Sequence, residues 1–234
     1  MRPTASGVCS ICGQGLASAY VWSKADGEPR CGLCQRMQPP FAKAAAYGSY
    51  DGGLRELIHL LKYAHVRPAA NVLGRMLAET ISDLNVSFGN ADLVVVPVPL
   101  HAHKLRHRGF NQAELIAQAA LKLKPAGERL TLNAAVLQRR RDTQSQIGLT
   151  RHQRRQNMRG VFAVVKTGEV EGREILLVDD VFTTGTTVSE CARVLRRAGA
   201  TRVWVATVAR TLKTDATYAI SEEEKAPVAM AAHG

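Results

Sequence analysis

The chain has 234 residues and carries 31 Lys and Arg against 20 Asp and Glu, which gives a formal net charge of +11. This length suits one full α/β domain with a small additional module, and the excess of cations indicates a polyanionic partner or a phosphate-bearing substrate. The sequence has neither a run of about eighteen apolar residues nor a charged-then-apolar leader, so we expect a cytoplasmic protein without membrane insertion.

Four of the five cysteines form two Cys-x-x-Cys pairs near the N-terminus, Cys9 with Cys12 and Cys31 with Cys34. This pattern is typical of a four-thiolate zinc site, in which each pair supplies two sulfurs to a tetrahedron. Because protein ligands fill all four positions, such a site is structural rather than catalytic. Disulfides are the alternative, but they are disfavoured in a chain without an export signal. We therefore predict a zinc ribbon over residues 1–38, followed by a stiff linker at Pro39 and Pro40.

The next segment predicts a short strand at residues 46–49 and two helices separated by Pro68. The helices are marked by apolar residues at helical spacing, namely Leu54, Leu57, Ile58 and Leu61, then Leu73, Met76, Leu77 and Ile81. His59 falls off the first stripe, so we expect it to face solvent.

A second apolar strand, at residues 92–100, breaks at Pro97 and Pro99 because proline does not continue a central strand. Asn111 and Glu114 then form a cap pattern that precedes a further helix. The intervening loop is basic and contains His101, His103, Lys104, Arg106, His107 and Arg108. A metal site on its histidines is disfavoured, because no carboxylate lies beside them to orient the rings.

Residues 138–160 contain seven arginines and a single acid, Asp142. Arginine is typical of sites where a planar fork of donors holds phosphate. A nucleic-acid contact surface and a solvated charged loop both remain open as interpretations. The candidate nucleic-acid contacts are Arg139, Arg140, Arg141, Arg151, Arg154 and Arg155.

The stretch at residues 175–187 runs from four apolar residues into Asp179 and Asp180, and then into a loop of threonines around Gly185. The unbroken apolar run indicates a strand buried on both faces of a parallel sheet. Apolar residues at helical spacing follow, so the loop joins a strand to a helix. Thr187 and Glu190 form a capping-box pattern, which predicts that the free N–H groups of the helix start lie in the loop.

The chemistry of this loop suits a sugar phosphate. The free N–H groups, the positive end of the helix dipole and the threonine hydroxyls favour a phosphate dianion. Asp179 and Asp180 accept hydrogen bonds when ionised, which suits a vicinal diol. The combination predicts a ribose 5-phosphate site. A Walker-B strand would need a partner Gly-x-x-x-x-Gly-Lys-Ser/Thr loop, which the chain lacks, and a plain buried strand with a polar turn is the other alternative.

The C-terminal part predicts strands at residues 161–165 and 202–209, with Gly199 ending the helix that precedes the second of them. A strand, a helix and a strand in this order imply a right-handed crossover and a parallel pair. Cys191 lies on the apolar stripe of the helix and is expected to be a packed thiol. Residues 213–234 lack an apolar period and are predicted to be a disordered tail.

Several of these features together resemble the ComF/GntX family over residues 9–210. They are the four cysteines, Leu61-Lys62-Tyr63, Pro97-Val98-Pro99, residues 106–112 and the loop that follows Asp179 and Asp180. That loop resembles the signature of the type I phosphoribosyltransferases, which bind 5-phosphoribosyl 1-diphosphate (PRPP). The resemblance implies an α/β fold in which a mostly parallel sheet flanked by helices, at residues 39–212, follows the zinc ribbon.

The resemblance also implies roles for individual residues. The 5-phosphate would lie on Phe182, Thr183, Thr184, Gly185, Thr186 and Thr187, and the pyrophosphate on the loop of Val98, Pro99 and Leu100. Catalytic roles fall on Asp179 and Asp180 at the ribose diol and on Arg106 and Arg108 at the departing diphosphate. The arginine segment would form a mobile lid. The implied cofactors are a structural zinc ion and Mg²⁺ that arrives with PRPP.

The leading functional prediction is a PRPP-binding protein of DNA uptake that acts with single-stranded DNA and a partner helicase, as the family implies for transformable bacteria. An active phosphoribosyltransferase with an unknown nitrogen acceptor is one alternative. A PRPP-sensing regulator is the other.

Overall fold

The computed structural model describes residues 7–16, 28–142 and 151–211, with the backbone alone described at Glu128, Arg151, His152, Arg154 and Arg155. The predicted tail at residues 213–234 lies outside these ranges. The helices in the described part are α1 Gly32–Met37, α2 Gly52–Tyr63, α3 Ala69–Phe88, α4 Ala102–Arg108, α5 Gln112–Leu121, α6 Arg151–Met158 and α7 Thr186–Arg197. The strands are β1 Lys43–Ser49, β2 Leu93–Pro97, β3 Pro125–Glu128, β4 Leu130–Leu132, β5 Leu137–Arg139, β6 Phe162–Val164, β7 Glu174–Phe182 and β8 Arg202–Arg210.

Five strands form one parallel sheet in the order β1-β8-β7-β2-β4. The predicted buried strand is its central member, β7, which pairs with β8 on one side and with β2 on the other. Pro97, the last residue of β2, lies opposite Val178 of β7. The strands are parallel, so the segments that follow β2 and β7 emerge beside each other at the carboxyl edge of the sheet. The predicted α/β fold class is confirmed.

Helices cover the two faces of the sheet. On one face α2, α3 and α5 bury an aliphatic core that includes Leu77 and Ile116. The helices α3 and α5 approach closely at Gly74, where an added Cβ atom would lie 2.5 Å from the Cβ of Ala119. On the other face, α7 packs with the two-stranded β5–β6 ribbon and the cysteine-bearing segments. Cys191 is fully buried there, as predicted.

Several local predictions are confirmed with small changes of boundary. The strand expected at residues 46–49 begins earlier, at Lys43, and Asn111 caps α5 by accepting a hydrogen bond from the backbone N–H of Ala113. The expected solvent exposure of His59 is wrong, because this residue is partly buried and its Nε2 lies 2.9 Å from the hydroxyl of Tyr50.

The capping box predicted at Thr187 and Glu190 is also wrong. The helix α7 begins two residues earlier than a Thr187 cap implies, at Thr186, and its N-cap is Gly185 at a φ of 73°, without a side-chain cap. Glu190 instead accepts hydrogen bonds from the backbone N–H of Gly160 and from Arg193. The backbone partner, Gly160, comes from a distant part of the chain, which a local pattern cannot reveal. Within the described ranges, no helix is both long enough and apolar enough to cross a membrane.

Candidate functional site

The loop between β7 and α7 is shaped by Gly185. Its φ of 73° is in the left-handed region that favours glycine, and an added Cβ atom would lie 2.6 Å from Cζ of Phe182. The loop therefore folds directly over the Phe182 ring. The hydroxyls of Thr184 and Thr186 lie 2.8 Å apart beside the start of α7. The first-turn N–H groups of a helix have no intrahelical acceptor, so this loop has the features of an anion site. We call residues 183–186 the phosphate loop.

Asp180 faces α2. One of its oxygens, Oδ1, lies 2.8 Å from Nζ of Lys62, while the other, Oδ2, is buried without a hydrogen-bond partner among the described residues. Burial lowers the pKa of Lys62, but the charges of Asp180 and Asp179 and the hydrogen bond to Asp180 together leave it raised. The contact closes off Oδ1 of Asp180 with the ammonium of Lys62 on α2.

Asp179 lies on the opposite face from Asp180, because successive side chains of a strand alternate between the faces of a sheet. Its charge acts on Arg139 and on Cys191, both on the α7 side. Burial, and then the charge of Asp180, raise the pKa of Asp179 to about 7. The structure therefore does not bring the two carboxylates together on one side of the sheet.

The loop that follows β2 lies beside the end of β7. The backbone N–H of Val98 donates to the carbonyl of Val178 over 2.9 Å, and the side chain of Asn111 donates to the carbonyl of Val98 over 3.1 Å. The same Asn111 caps α5, so one side chain fixes both the loop and the helix. Pro99 and Leu100, which are partly buried, continue toward the basic helix α4.

The two predicted catalytic arginines on α4 differ in environment. Arg108 is half-buried, donates to the side chain of Gln112 and lies 5.9 Å over the ring of Tyr63. Arg106 is exposed. The helix that follows the loop at residues 98–100 therefore carries one anchored and one exposed cation.

The arginine segment, residues 138–160, contains the end of strand β5 and the helix α6. Arg139 is half-buried and lies 5.6 Å over the ring of Phe162, and burial lowers its pKa. Arg140 and Arg141 are exposed, and Arg141 donates to the carbonyl of Arg159 over 2.6 Å. Of the predicted nucleic-acid contacts, only two therefore have described, exposed side chains. The side chains of Arg151, Arg154 and Arg155 lie outside the described part.

The four predicted metal ligands come together. The Sγ atoms of Cys9, Cys12, Cys31 and Cys34 all lie within 4.8 Å of one another, and those of Cys12 and Cys31 are 3.7 Å apart. A tetrahedral zinc ion with Zn–S bonds of about 2.3 Å requires S–S separations of roughly 3.8 Å. Hydrogen bonding among the four thiols lowers the pKa of Cys9 and Cys31 and raises that of Cys12 and Cys34, as expected of sulfurs packed this closely together. The donor set fits a structural zinc ion.

Arg210, which the sequence analysis did not single out, joins the cysteine cluster to the phosphate loop. This buried residue at the end of β8 donates to the carbonyl of Cys12 and, over 3.0 Å, to the side chain of Gln14. Its guanidinium also lies 4.8 Å from the centre of the Phe182 ring. The only local signal is a cation at the end of an otherwise apolar strand, which is too weak to predict this contact.

The chain is similar to several known proteins. The model of the phosphoribosyl transferase domain family matches residues 68–225. The chain is 31% identical over 215 residues to the DNA utilization protein YhgH of Escherichia coli (strain K12), covering 88% of this chain and 91% of that protein. It is 30% identical over 212 residues to competence protein F of Haemophilus influenzae, with the same coverage of 88% and 91%.

Among solved structures, the glutamine PRPP amidotransferase from B. subtilis is similar to this chain, and the alignment covers 60% of this chain and 26% of the amidotransferase chain. The identity is 29% and the TM-score 0.36. The assignment to a family therefore depends on the sequence relatives and the domain match. Together with the parallel sheet and the four-cysteine cluster, they show that this chain belongs to the ComF/GntX family of phosphoribosyltransferase-domain proteins.

Proposed function

We propose that this protein binds PRPP with Mg²⁺ at the carboxyl edge of its sheet, and that it acts in DNA utilization through single-stranded DNA and a helicase partner. One observation carries the PRPP proposal: the phosphate loop after β7 and the loop at residues 98–100 after β2 emerge from adjacent parallel strands. Ligands of open α/β sheets bind outside the carboxyl ends of the strands. A ligand with phosphate at one end and diphosphate at the other suits these two loops.

In this proposal each loop holds one end of PRPP. The 5-phosphate would accept hydrogen bonds from the hydroxyls of Thr184 and Thr186 and from the start of α7. Asp179 is the better candidate for the ribose diol, because Lys62 closes off the carboxylate of Asp180. The contribution of Asp180 would then be to hold Lys62 at the strand end.

The diphosphate end would lie on residues 98–100 and be held by the cations of α4. Arg108 is anchored in position by Tyr63 and Gln112, whereas the exposed Arg106 can move onto a bound anion. Mg²⁺ would neutralise part of the charge on the diphosphate, and it prefers the oxygen ligands that a carboxylate and a diphosphate offer. The four cysteines would hold zinc as a structural ion.

An active phosphoribosyltransferase is the second candidate, and the cations beside residues 98–100 favour it. In that reaction a nitrogen nucleophile would form a bond to ribose C1 while the bond from C1 to the diphosphate breaks. Stabilisation of charge on the departing diphosphate by Arg106 and Arg108 would supply much of the acceleration.

The DNA part of the proposal is supported by the names of the relatives, which refer to DNA utilization and to competence. The net charge of +11 is also typical of a protein with a polyanionic partner. We propose Arg140 and Arg141 as DNA contacts, together with Arg151, Arg154 and Arg155.

Isothermal titration calorimetry with PRPP and Mg²⁺ tests the shared site. The double variant Thr184→Val/Thr186→Val removes two hydroxyls with little change of shape. Hydrogen bonds to a charged group contribute about 1.5–3 kcal/mol each, so we expect PRPP affinity to fall at least tenfold. Thr201→Val is the matched control, because its hydroxyl donates to the carbonyl of Arg173 at the opposite edge of the sheet. Equal PRPP affinity in the two variants would contradict the proposed site.

Pyrophosphate release across a panel of nucleobases and other amines separates an enzyme from a binding protein. Release that depends on an added acceptor and is lost in Arg106→Gln would identify a transferase. PRPP binding without release for any acceptor would instead support a role in binding or regulation.

A further inference from the structure

A groove of about 890 Å³ runs along α7 and is separate from the proposed diol and diphosphate contacts. Its floor is the face of α7 that carries Ser189, Arg193 and Arg197, one wall is formed by residues 33–41, and the other by residues 156–162. We call it the α7 groove. It begins at the phosphate loop, whose residues line its end, while Asp179 and Arg106 are not among its lining residues. A ribose phosphate held by that loop would therefore leave most of the groove unfilled.

The charge of the α7 groove suits an anion. Four arginines line it, with Glu190 as the one acid among its lining residues. Glu190 is already bonded to Arg193 and to the backbone of Gly160, and Arg210 is directed toward Cys12. Arg159 and Arg197 remain exposed on the rim. The helix start at one end adds the positive pole of the helix dipole, and Arg197 places a cation at the other end.

The wall at residues 33–41 is mostly apolar, with Gln38 as the one polar residue of that stretch in the lining. Met37 is 40% exposed, and Leu33, Pro39 and Pro40 are partly buried beside it. A groove with cations on one side and apolar surface on the other matches a strand whose phosphates and unpaired bases point in different directions. Within a duplex the faces of the bases are stacked and could not reach this wall.

We propose that the α7 groove binds a single strand of nucleic acid, with its phosphates toward Arg159 and Arg197 and its bases against the wall at Met37. This inference rests on the DNA part of the proposed function and gives the strand a location. The helix from Thr186 to Arg197 has 12 residues, which is about 18 Å at 1.5 Å per residue, so the groove can follow several consecutive nucleotides. Because α6 forms one wall, such a strand would also pass the arginine segment.

Fluorescence anisotropy with a labelled oligothymidylate, repeated over a series of KCl concentrations, tests the proposal. For single strands the logarithm of the binding constant falls with the logarithm of salt concentration at about 0.7 per neutralised phosphate. Arg159→Gln/Arg197→Gln should therefore weaken binding and reduce the slope by about 1.4. Met37→Ser should weaken binding without a change in slope, because it removes a base contact and no charge.

Lys166→Gln/Arg173→Gln is the matched control, since both cations are exposed near the amino end of β7. We expect this control variant to bind the strand with wild-type affinity and wild-type salt slope. Every variant should keep wild-type PRPP affinity, and this measurement also shows that its fold is intact. A wild-type slope in Arg159→Gln/Arg197→Gln would overturn the groove as the binding site. Equal affinity for a duplex would overturn the single-strand assignment. If the unaltered protein bound no strand, the groove assignment and the DNA part of the proposed function would both be refuted. If the unaltered protein bound the strand but not PRPP, only the PRPP part of the proposed function would be refuted.

Discussion

The buried ion pair between Lys62 and Asp180 allows a sharp test of how the strand end is held. The side chains are 17% and 5% exposed, and Nζ and Oδ1 are 2.8 Å apart. Removing one partner of a buried pair costs about 3–5 kcal/mol, because the remaining charge loses its compensation. In Lys62→Met the carboxylate of Asp180 would lose the cation that contacts it, while its Oδ2 has no hydrogen-bond partner within the described ranges. We therefore expect the free energy of unfolding to fall by about 3–5 kcal/mol.

The reverse change, Asp180→Asn, should be milder, at about 1–2 kcal/mol, because a lysine can extend its ammonium toward solvent. The double variant Lys62→Met/Asp180→Asn leaves no unpaired charge, so its loss should be smaller than that of Lys62→Met alone. Urea unfolding followed by circular dichroism measures all three values. Lys43→Met is the matched control, since its ammonium makes a 3.4 Å contact with the hydroxyl of Ser87 and should change stability by less than about 1 kcal/mol. Additive losses in the double variant, or a loss below about 1 kcal/mol for Lys62→Met, would refute this reasoning.

Three further predictions concern the pH response, the metal and the arginine segment. The raised pKa of Asp179, about 7 in the fold against an ordinary 3.8, means that its stabilising effect is complete below pH 3.8 and is lost as the pH rises through 7. Between pH 3.8 and pH 7 the free energy of unfolding of the protein should therefore fall relative to that of Asp179→Asn. Over the same range PRPP affinity should increase as the carboxylate ionises. Urea unfolding and calorimetry at several pH values measure the two trends. Elemental analysis should find one zinc ion per chain, and its removal by a chelator should lower the melting temperature and weaken PRPP binding. Unchanged PRPP affinity after complete removal would show that the cluster does not support the phosphate loop. Arg140→Gln/Arg141→Gln should reduce the salt slope of single-strand binding by about 1.4 and leave PRPP affinity unchanged. An unchanged slope with weaker PRPP binding would instead indicate that this segment is a lid that covers the diphosphate.

Much of the fold could be predicted because strong local signals coincide. The unbroken apolar run before Asp179 identified the central strand, and Pro97 and Pro99 correctly marked the end of β2. The cysteine spacing predicted a cluster that the structure brings together. In each case the signal depends on residues close in sequence, where periodicity and backbone chemistry are decisive.

The site was harder to predict, because its geometry depends on where a strand ends. The sequence analysis placed Asp179 and Asp180 at the end of the strand, beside the threonine loop, and assigned both carboxylates to one ribose diol. The strand β7 continues to Phe182, so the two side chains alternate to opposite faces. Contacts between residues distant in sequence could not be predicted either. Lys62 contacts Asp180, which is 118 residues away in sequence, and Arg210 contacts Cys12, which is 198 residues away.

These long-range contacts bear on how the cysteine cluster and the phosphate loop depend on each other. Gly185 can fold over Phe182 only while that ring keeps its place, and the guanidinium of Arg210 lies against the same ring. Arg210 is in turn held by the carbonyl of Cys12, one of the four clustered cysteines. A metal ion that fixes Cys12 would therefore also fix the support beneath the phosphate loop. We therefore expect a loss of the cysteine cluster to weaken PRPP binding before it affects the parallel sheet.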